Sequence, residues 1–221
     1  MIHRIFRTCI VAFATVSTDV YKRQRLRIGD HNVFREHVTV HRSNSSDEDT
    51  LIGAHNFLMA HCHVAHNCRL GDHIVIANGA LLAGHVAVQD RAFISGNCVV
   101  HQFCRLGALS FMQGGCAISK DLPPFTVARR GENTLGGLNS IGLRRAGFSV
   151  NERMELKRLY HALFASSVNL RAALTQARAS FNGAAAQTLL EFVAQSKRGV
   201  CTAKGQTADD GSAPADASDH L

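Results

Sequence analysis

The stretch Ile52-Gly53-Ala54-His55-Asn56-Phe57-Leu58-Met59-Ala60-His61-Cys62-His63-Val64 carries an aliphatic side chain at every sixth position. Stepping onward by six from Val64 gives Leu70, Ile76, Leu82, Val88, Ile94, Val100, Leu106, Met112 and Ile118. In a chain that is 46% hydrophobic, twelve such positions in fixed phase arise by chance roughly once in 10,000 trials, so the period is structural. Ile28, Phe34 and Val40 hold the same phase upstream, until the polar run Ser43-Asn44-Ser45-Ser46-Asp47-Glu48-Asp49-Thr50 interrupts it. That run reads as a loop thrown out from one coil.

With the aliphatic position called i, the i+4 positions are mostly small: Cys62, Cys68, Ala80, Ala92, Cys98, Cys104, Ser110 and Cys116. Positions i+4, i+5 and the next i then alternate in, out, in, which is a short strand. Positions i+1 to i+3 collect the turn formers Gly53, Gly71, Gly107, Asp30, Asp72 and Asp90, which mark corners. A period of six fits neither a helix of 3.6 nor a plain strand of two. It predicts a parallel β-helix with three short walls and 18 residues per coil.

Composition sets the outer limits. The 221 residues include 13 histidines and seven cysteines, with a formal net charge of +7. That length buries a core in one domain, or in a domain plus an appendage. Seven cysteines are an odd number spread over a long chain, unlike a disulfide-stapled scaffold. Cys62, Cys68, Cys98, Cys104 and Cys116 are separated by multiples of six and are predicted to be small interior residues. This usage fits a reducing, cytoplasmic setting. No run reaches the roughly 18 apolar residues that a membrane span needs, which excludes an integral membrane segment. Arg4, Arg7, Lys22 and Arg23 against Asp19 are offset by the acidic C-terminal tail, so residues 25–201 keep the whole +7. Their cations are scattered rather than interleaved with aromatics, which argues for an anionic metabolite or an acidic protein as partner and against nucleic acid.

Five segments are predicted. Residues 1–24 fit neither pattern and are left unplaced, a candidate non-native segment, and the chain reads as an N-terminally shortened enzyme. Residues 25–120 form the β-helix, and 121–148 a connecting segment. Residues 149–201 form a C-terminal α-helical domain. It opens on the capping box Ser149 and Glu152, with further amphipathic segments over 169–181 and 184–198. Residues 202–221 are a disordered tail rich in Ala, Asp, Ser and Gly.

Residues 18 apart should stack in one column, about 4.8 Å from coil to coil. His37, His55 and His73 then form an exposed ladder at a corner. A second corner is more informative. Its i+2 column reads His66, Gly84, Gln102; its i+1 column Ala65, Ala83, His101; its i+3 column Asn67, His85, Phe103. Four polar side chains, His66, His85, His101 and Gln102, thus converge on a glycine whose missing side chain leaves a notch, with His63 beside it. A neutral imidazole there can remove a proton from a hydroxyl, and the glycine N–H can receive a developing oxyanion. No serine or cysteine stands beside a base as a nucleophile, so direct transfer is the simpler chemistry.

The hexad pattern resembles the left-handed β-helix of bacterial acyltransferases. More specifically, several stretches resemble the acyl-carrier-protein:UDP-N-acetylglucosamine O-acyltransferases of lipid A biosynthesis. They are His63-Val64-Ala65-His66-Asn67-Cys68, Leu82-Ala83-Gly84-His85-Val86, Val100-His101-Gln102-Phe103-Cys104, Asp121-Leu122-Pro123-Pro124 and Gly142-Leu143-Arg144-Arg145-Ala146-Gly147-Phe148. The resemblance implies His66 as general base and Gly84 as the oxyanion donor, with His41, His63, Asn67, His85, His101 and Gln102 as substrate contacts. It implies a homotrimer that uses acyl carrier protein and UDP-N-acetylglucosamine and needs neither cofactor nor metal. Arg129, Arg130, Arg144 and Arg145 would be contacts for the acidic carrier protein, and the acyl-length ruler would lie near Gly114 or Gly115.

Three departures stand out. Many family members have Asp where this chain has Asn67. An Asp-x-Lys pair expected upstream of Ile28-Gly29-Asp30 is absent. The family's Tyr-Arg-Ser-Gly, whose Arg is associated with the nucleotide, appears as Phe164-Ala165-Ser166-Ser167. Three alternatives remain open at this stage: a zinc lyase like the γ-class carbonic anhydrases, suggested by the spacing of His61 and His66; a related N-acyl- or N-acetyltransferase; and a non-catalytic β-helix fragment.

Overall fold

The computed structural model describes residues 24–166 and 168–203. The expectations for residues 1–23 and 204–221 fall outside the described residues. The hexads fold into three parallel walls joined at corners. The first wall stacks Leu26–Ile28, Thr50–Ile52, Arg69–Leu70, Ala87–Val88 and Arg105–Leu106. The second begins with Val33–Phe34, Phe57–Leu58, Val75–Ile76, Phe93–Ile94 and Phe111–Met112. The third stacks Thr39–Val40, His63–Val64, Leu81–Leu82, Val99–Val100 and Ala117–Ile118. The i and i+4 side chains fill the interior: Leu58, Val64, Ile76, Leu82, Ile94, Val100 and Leu106 are buried, as are all five cysteines of the repeat. Those cysteines are free thiols.

The corners explain much of the histidine content. At i+3 the backbone is left-handed in coil after coil, with φ between 55° and 64° at His31, His37, His55, His61, Asn67, His73, His85 and Phe103 among others. Non-glycine residues are uncommon in this region, and Asn and His are among those enriched there. Six histidines therefore serve the turn itself.

The register follows the 18-residue ruler from Leu51 opposite Arg69 onward, but Leu26 lies opposite Thr50, 24 residues on. The polar loop after His41 thus adds one hexad to the first coil. This corrects the predicted ladder. His31 stacks on His55 at 4.8 Å and His55 on His73 at 4.9 Å, whereas His37 stacks on His61 at 4.8 Å.

Beyond Ile118 the sheet continues. Thr126–Arg129 extends the second wall beside Phe111–Met112, then turns back antiparallel against Thr134–Leu138. The stretch 121–148 therefore carries two strands and a helix, α1 (Ser140–Arg145), capped by the Asn139 side chain. Helix α2 (Val150–Phe164) opens on the predicted capping box of Ser149 and Glu152. Helices α3 (Leu170–Ser180) and α4 (Ala184–Ala194) pack on it through Leu156, Leu163, Phe164, Ala173, Ala177, Leu189 and Leu190.

The last helix is shorter than its pattern because the chain must return to the β-helix. Ser196 Oγ donates to Asp121 Oδ2 at 2.8 Å and Arg198 Nε to the Ser119 carbonyl at 3.1 Å. Thr202–Ala203, assigned by composition to the disordered tail, is instead a strand parallel to Thr134–Leu135. Its backbone is held by the sheet, which composition does not report.

Candidate active site

Three coils build the site where the third wall turns toward the first. His63 leads it, with its Nδ1 2.7 Å from Thr39 Oγ1 and its ring edge-on to His41 at 4.5 Å. Three residues further on, His66 lies at the corner with Nδ1 2.9 Å from Asn67 Oδ1. The Asn67 amide has one orientation that satisfies its neighbours. Its Oδ1 also accepts the Asn44 N–H at 3.2 Å, while Nδ2 donates to Ser43 Oγ at 3.0 Å and reaches Glu48 Oε2 at 3.4 Å. An oxygen facing Nδ1 requires the His66 proton to be on Nδ1, which leaves the Nε2 lone pair free as a base.

The face of this ring lies against Gly84. A Cβ built there would come 2.7 Å from His66 Cε1 and 2.9 Å from Nε2, so only glycine leaves the ring its place. Among the described residues the Gly84 N–H makes no hydrogen bond, while its carbonyl accepts from Phe103 N–H at 3.1 Å. His85 packs edge-on to His66 at 5.3 Å and stacks flat on Phe103 at 4.6 Å. The notch beside a free N–H and an imidazole is a place where a hydroxyl can be deprotonated and an oxyanion received.

Burial and mutual repulsion lower the pKa values of the surrounding imidazoles. Burial lowers the pKa of His41, and the neighbouring His66 lowers it further. Burial likewise leads for His63, followed by His41 and His66. For His85, burial and then His66 lower it, while the Glu48 carboxylate pulls the other way.

The sequence-predicted residues thus divide into shells. His41, His63, His66, Asn67, Gly84 and His85 form one connected cluster. His101 and Gln102 lie one coil further along the same columns, both exposed. His101 meets a residue that sequence reasoning missed: Arg198 Nη2 is 3.3 Å from its Nδ1. Arg198, Lys197, Gln195, Arg105, Asp121 and Phe103 line a cavity of about 580 Å³ next to this end of the site. Thr39, Ser43 and Glu48 were also missed. For Ser43 and Glu48 the break in the hexad was the only signal. In the stretch matched to the family's nucleotide contact, Phe164 is wholly buried, while Ala165, at the position of the family's Arg, is exposed and caps the C-terminus of α2.

The zinc reading loses its geometry, because His61 stacks at a different corner on His37, away from His66. Among the described residues no group of three His, Cys, Asp or Glu is placed to hold a metal.

Residues 121–201 match the family described as Udp N-acetylglucosamine O-acyltransferase, domain 2, and residues 49–84 the bacterial transferase hexapeptide repeats. The acyl-[acyl-carrier-protein]--UDP-N-acetylglucosamine O-acyltransferase of Halorhodospira halophila is 44% identical over 179 residues, 79% of this chain and 69% of the relative. The protein of the same name from Syntrophobacter fumaroxidans is 45% identical over 179 residues, 80% of this chain and 69% of its own. The chain belongs to this O-acyltransferase family. It spans about two thirds of the length of these relatives.

Solved acyltransferases of the same specificity share the fold. The UDP-N-acetylglucosamine acyltransferase of Bacteroides fragilis superposes with a TM-score of 0.80 at 34% identity, over 86% of this chain and 75% of that one. The Arabidopsis enzyme superposes with a TM-score of 0.78 at 37% identity, over 81% and 66%. The fold class is therefore the family's left-handed parallel β-helix with a C-terminal helical domain. For the acyltransferase, no described helix is long and apolar enough to cross a membrane.

Proposed function

We propose that this acyltransferase moves a 3-hydroxyacyl chain from acyl carrier protein to the 3-hydroxyl of UDP-N-acetylglucosamine, the first step of lipid A biosynthesis, with His66 as general base. The observation that carries the assignment is the Asn67 amide holding His66 in the tautomer that leaves Nε2 without a proton, on a ring packed against Gly84. In the proposed step, Nε2 takes the proton of the sugar hydroxyl as its oxygen attacks the thioester carbonyl. The Gly84 N–H meets the oxyanion of the tetrahedral intermediate. Collapse expels the thiolate of the carrier's prosthetic group, which takes the proton back from the imidazolium. His41, His63, Asn67, His85, His101 and Gln102 line the approach and contact the substrates.

The basic surface suits an acidic carrier protein. Arg129, Arg130, Arg144 and Arg145 are all exposed, and Arg129, Arg153 and Lys157 line a cavity of about 540 Å³ beside α2. A homotrimer is supported by the outward faces of two walls. Val33 and Phe93 on the second wall and Leu81 and Val99 on the third are between 36% and 51% exposed, apolar strand surface that neighbouring copies would cover. The free, buried thiols favour a cytoplasmic location.

The deciding experiment is an acyl-transfer assay with UDP-N-acetylglucosamine and 3-hydroxyacyl carrier protein, wild type against His66→Ala. Loss of turnover in the variant is expected, and equal rates would remove His66 as the base.

A further inference from the structure

A general base becomes a cation as it works, and the group that holds His66, the Asn67 amide, carries no net charge. An amide orients an imidazole as an acceptor, but a carboxylate also offsets the positive charge that develops on it. The extra hexad of the first coil brings one such carboxylate to this corner. Glu48 Oε2 lies 3.4 Å from Asn67 Nδ2 and 3.8 Å from His85 Nδ1. The other acids of the loop are engaged elsewhere. Asp49 is held by Arg25 and Arg27 at 2.9 and 2.6 Å, and Asp47 accepts from Ser46 Oγ at 3.0 Å.

We propose that Glu48 is a positioning residue that supplies the counter-charge for His66 through the Asn67 amide. This rests on His66 being the base. Drawing on the Nδ2 hydrogens polarises the amide, so that Oδ1 becomes a stronger acceptor for His66 Nδ1–H as the ring takes up its proton. The same carboxylate lies 3.8 Å from Nδ1 of His85, whose ring packs on His66. His41 and His63 are the other titratable groups facing His66, and neither offers negative charge. Glu48 is 47% exposed at its side chain, so solvent screens it and the effect is several-fold rather than several orders of magnitude.

The test is steady-state kinetics on the full chain with both substrates varied. Glu48→Gln keeps an oxygen for Asn67 Nδ2 and removes the charge; kcat is expected to fall about five- to tenfold with both KM values within about twofold of wild type. Combining it with Asn67→Asp places a carboxylate directly on His66 Nδ1, and kcat should recover to within about threefold of wild type. Unchanged kcat in Glu48→Gln, or a loss confined to KM, overturns the proposal, as does a folded double variant that recovers nothing. Should the double variant fail to fold, the split between kcat and KM in Glu48→Gln decides alone. His66→Ala runs in parallel. An active His66→Ala removes the general-base reading itself, whereas an inactive one beside a wild-type-like Glu48→Gln removes only the role of Glu48.

Discussion

Asn67 Oδ1 stands 2.9 Å from His66 Nδ1 and takes the Asn44 N–H at 3.2 Å, while its Nδ2 donates to Ser43 Oγ at 3.0 Å. A flipped amide would set two donors against each other, so the ring beside it is fixed in one tautomer. Asn67→Ala should lower kcat by about 10- to 100-fold, because the freed ring samples wrong tautomers and rotations. Position 67 also has φ 59°, which costs an alanine roughly 1–2 kcal/mol. Asn67→Gly relieves that cost and should lose the same activity with less loss of Tm. If Asn67→Gly turns over like wild type, the tautomer argument is wrong.

Gly84 is needed for space rather than for backbone freedom. Its Cβ would press on His66 Cε1 at 2.7 Å, and a real side chain there must push the imidazole aside. A ring displaced by about 1 Å is expected to lose about 100-fold in rate. Gly84→Ala should therefore be nearly inactive yet fold, with far-ultraviolet circular dichroism like wild type. Substantial turnover in a folded Gly84→Ala would show that the ring is not held against the notch.

The parts of this site that could be read in the sequence are those that obey the hexad. Val64, Leu82 and Val100 share a wall, so His66 and Gly84 had to share a column. The 18-residue ruler failed where a loop was spliced in. It sent His37 to His55, when the 24-residue first coil pairs it with His61. Ser43 and Glu48 were hidden for the same reason, since a polar loop has no period to place it. Arg198 reaches His101 across 97 residues, after four helices whose own patterns say nothing about where the chain returns.

Burial pushes the thiols of Cys62, Cys68 and Cys201 up to about 12 and that of Cys104 to about 11, from an ordinary value of 9.0. In the unfolded chain these thiols ionise near 9, so the folded state binds more protons above that pH. Their contribution is fully present below pH 9 and is lost as pH rises from 9 through 11 and 12. Each thiol then removes about 1.4 kcal/mol per pH unit. Tm should fall steeply above pH 9, with a shallower slope in Cys62→Ala. In the native protein at pH 8 these thiols should resist a thiol-specific reagent and react on unfolding. A Tm flat to pH 10.5 would contradict this.

The imidazoles have the opposite dependence. His41, His63 and His85 are lowered from 6.5, by burial first and then by neighbouring imidazoles, with Glu48 partly opposing the shift at His85. The unfolded chain therefore takes up protons before the native one does. The stability these residues contribute is present above pH 6.5 and is lost as pH falls through their lower folded values. Proton NMR titration should place all three midpoints below 6.5. His63→Gln should weaken the decline of Tm between pH 6.5 and 5, and an unchanged decline would exclude His63 as its source.

Asp121 fastens the C-terminal return to the β-helix. Its side chain is 1% exposed and receives Arg105 N–H and Nε–H at 2.8 Å each and Ser196 Oγ–H at 2.8 Å. Arg105 in turn donates to the Phe192 carbonyl at 3.0 Å and lies 4.4 Å over the Phe192 ring. Removing one partner of a buried pair typically costs 3–5 kcal/mol, but Arg105 is 28% exposed and can partly rehydrate. Asp121→Ala should therefore cost about 3 kcal/mol and lower Tm by roughly 6–12 °C. Arg105→Ala in the same chain should add little, because both changes break one network. The two losses measured by denaturant titration should fall well short of additive, and strict additivity would mean that Arg105 and Asp121 do not act as one clamp.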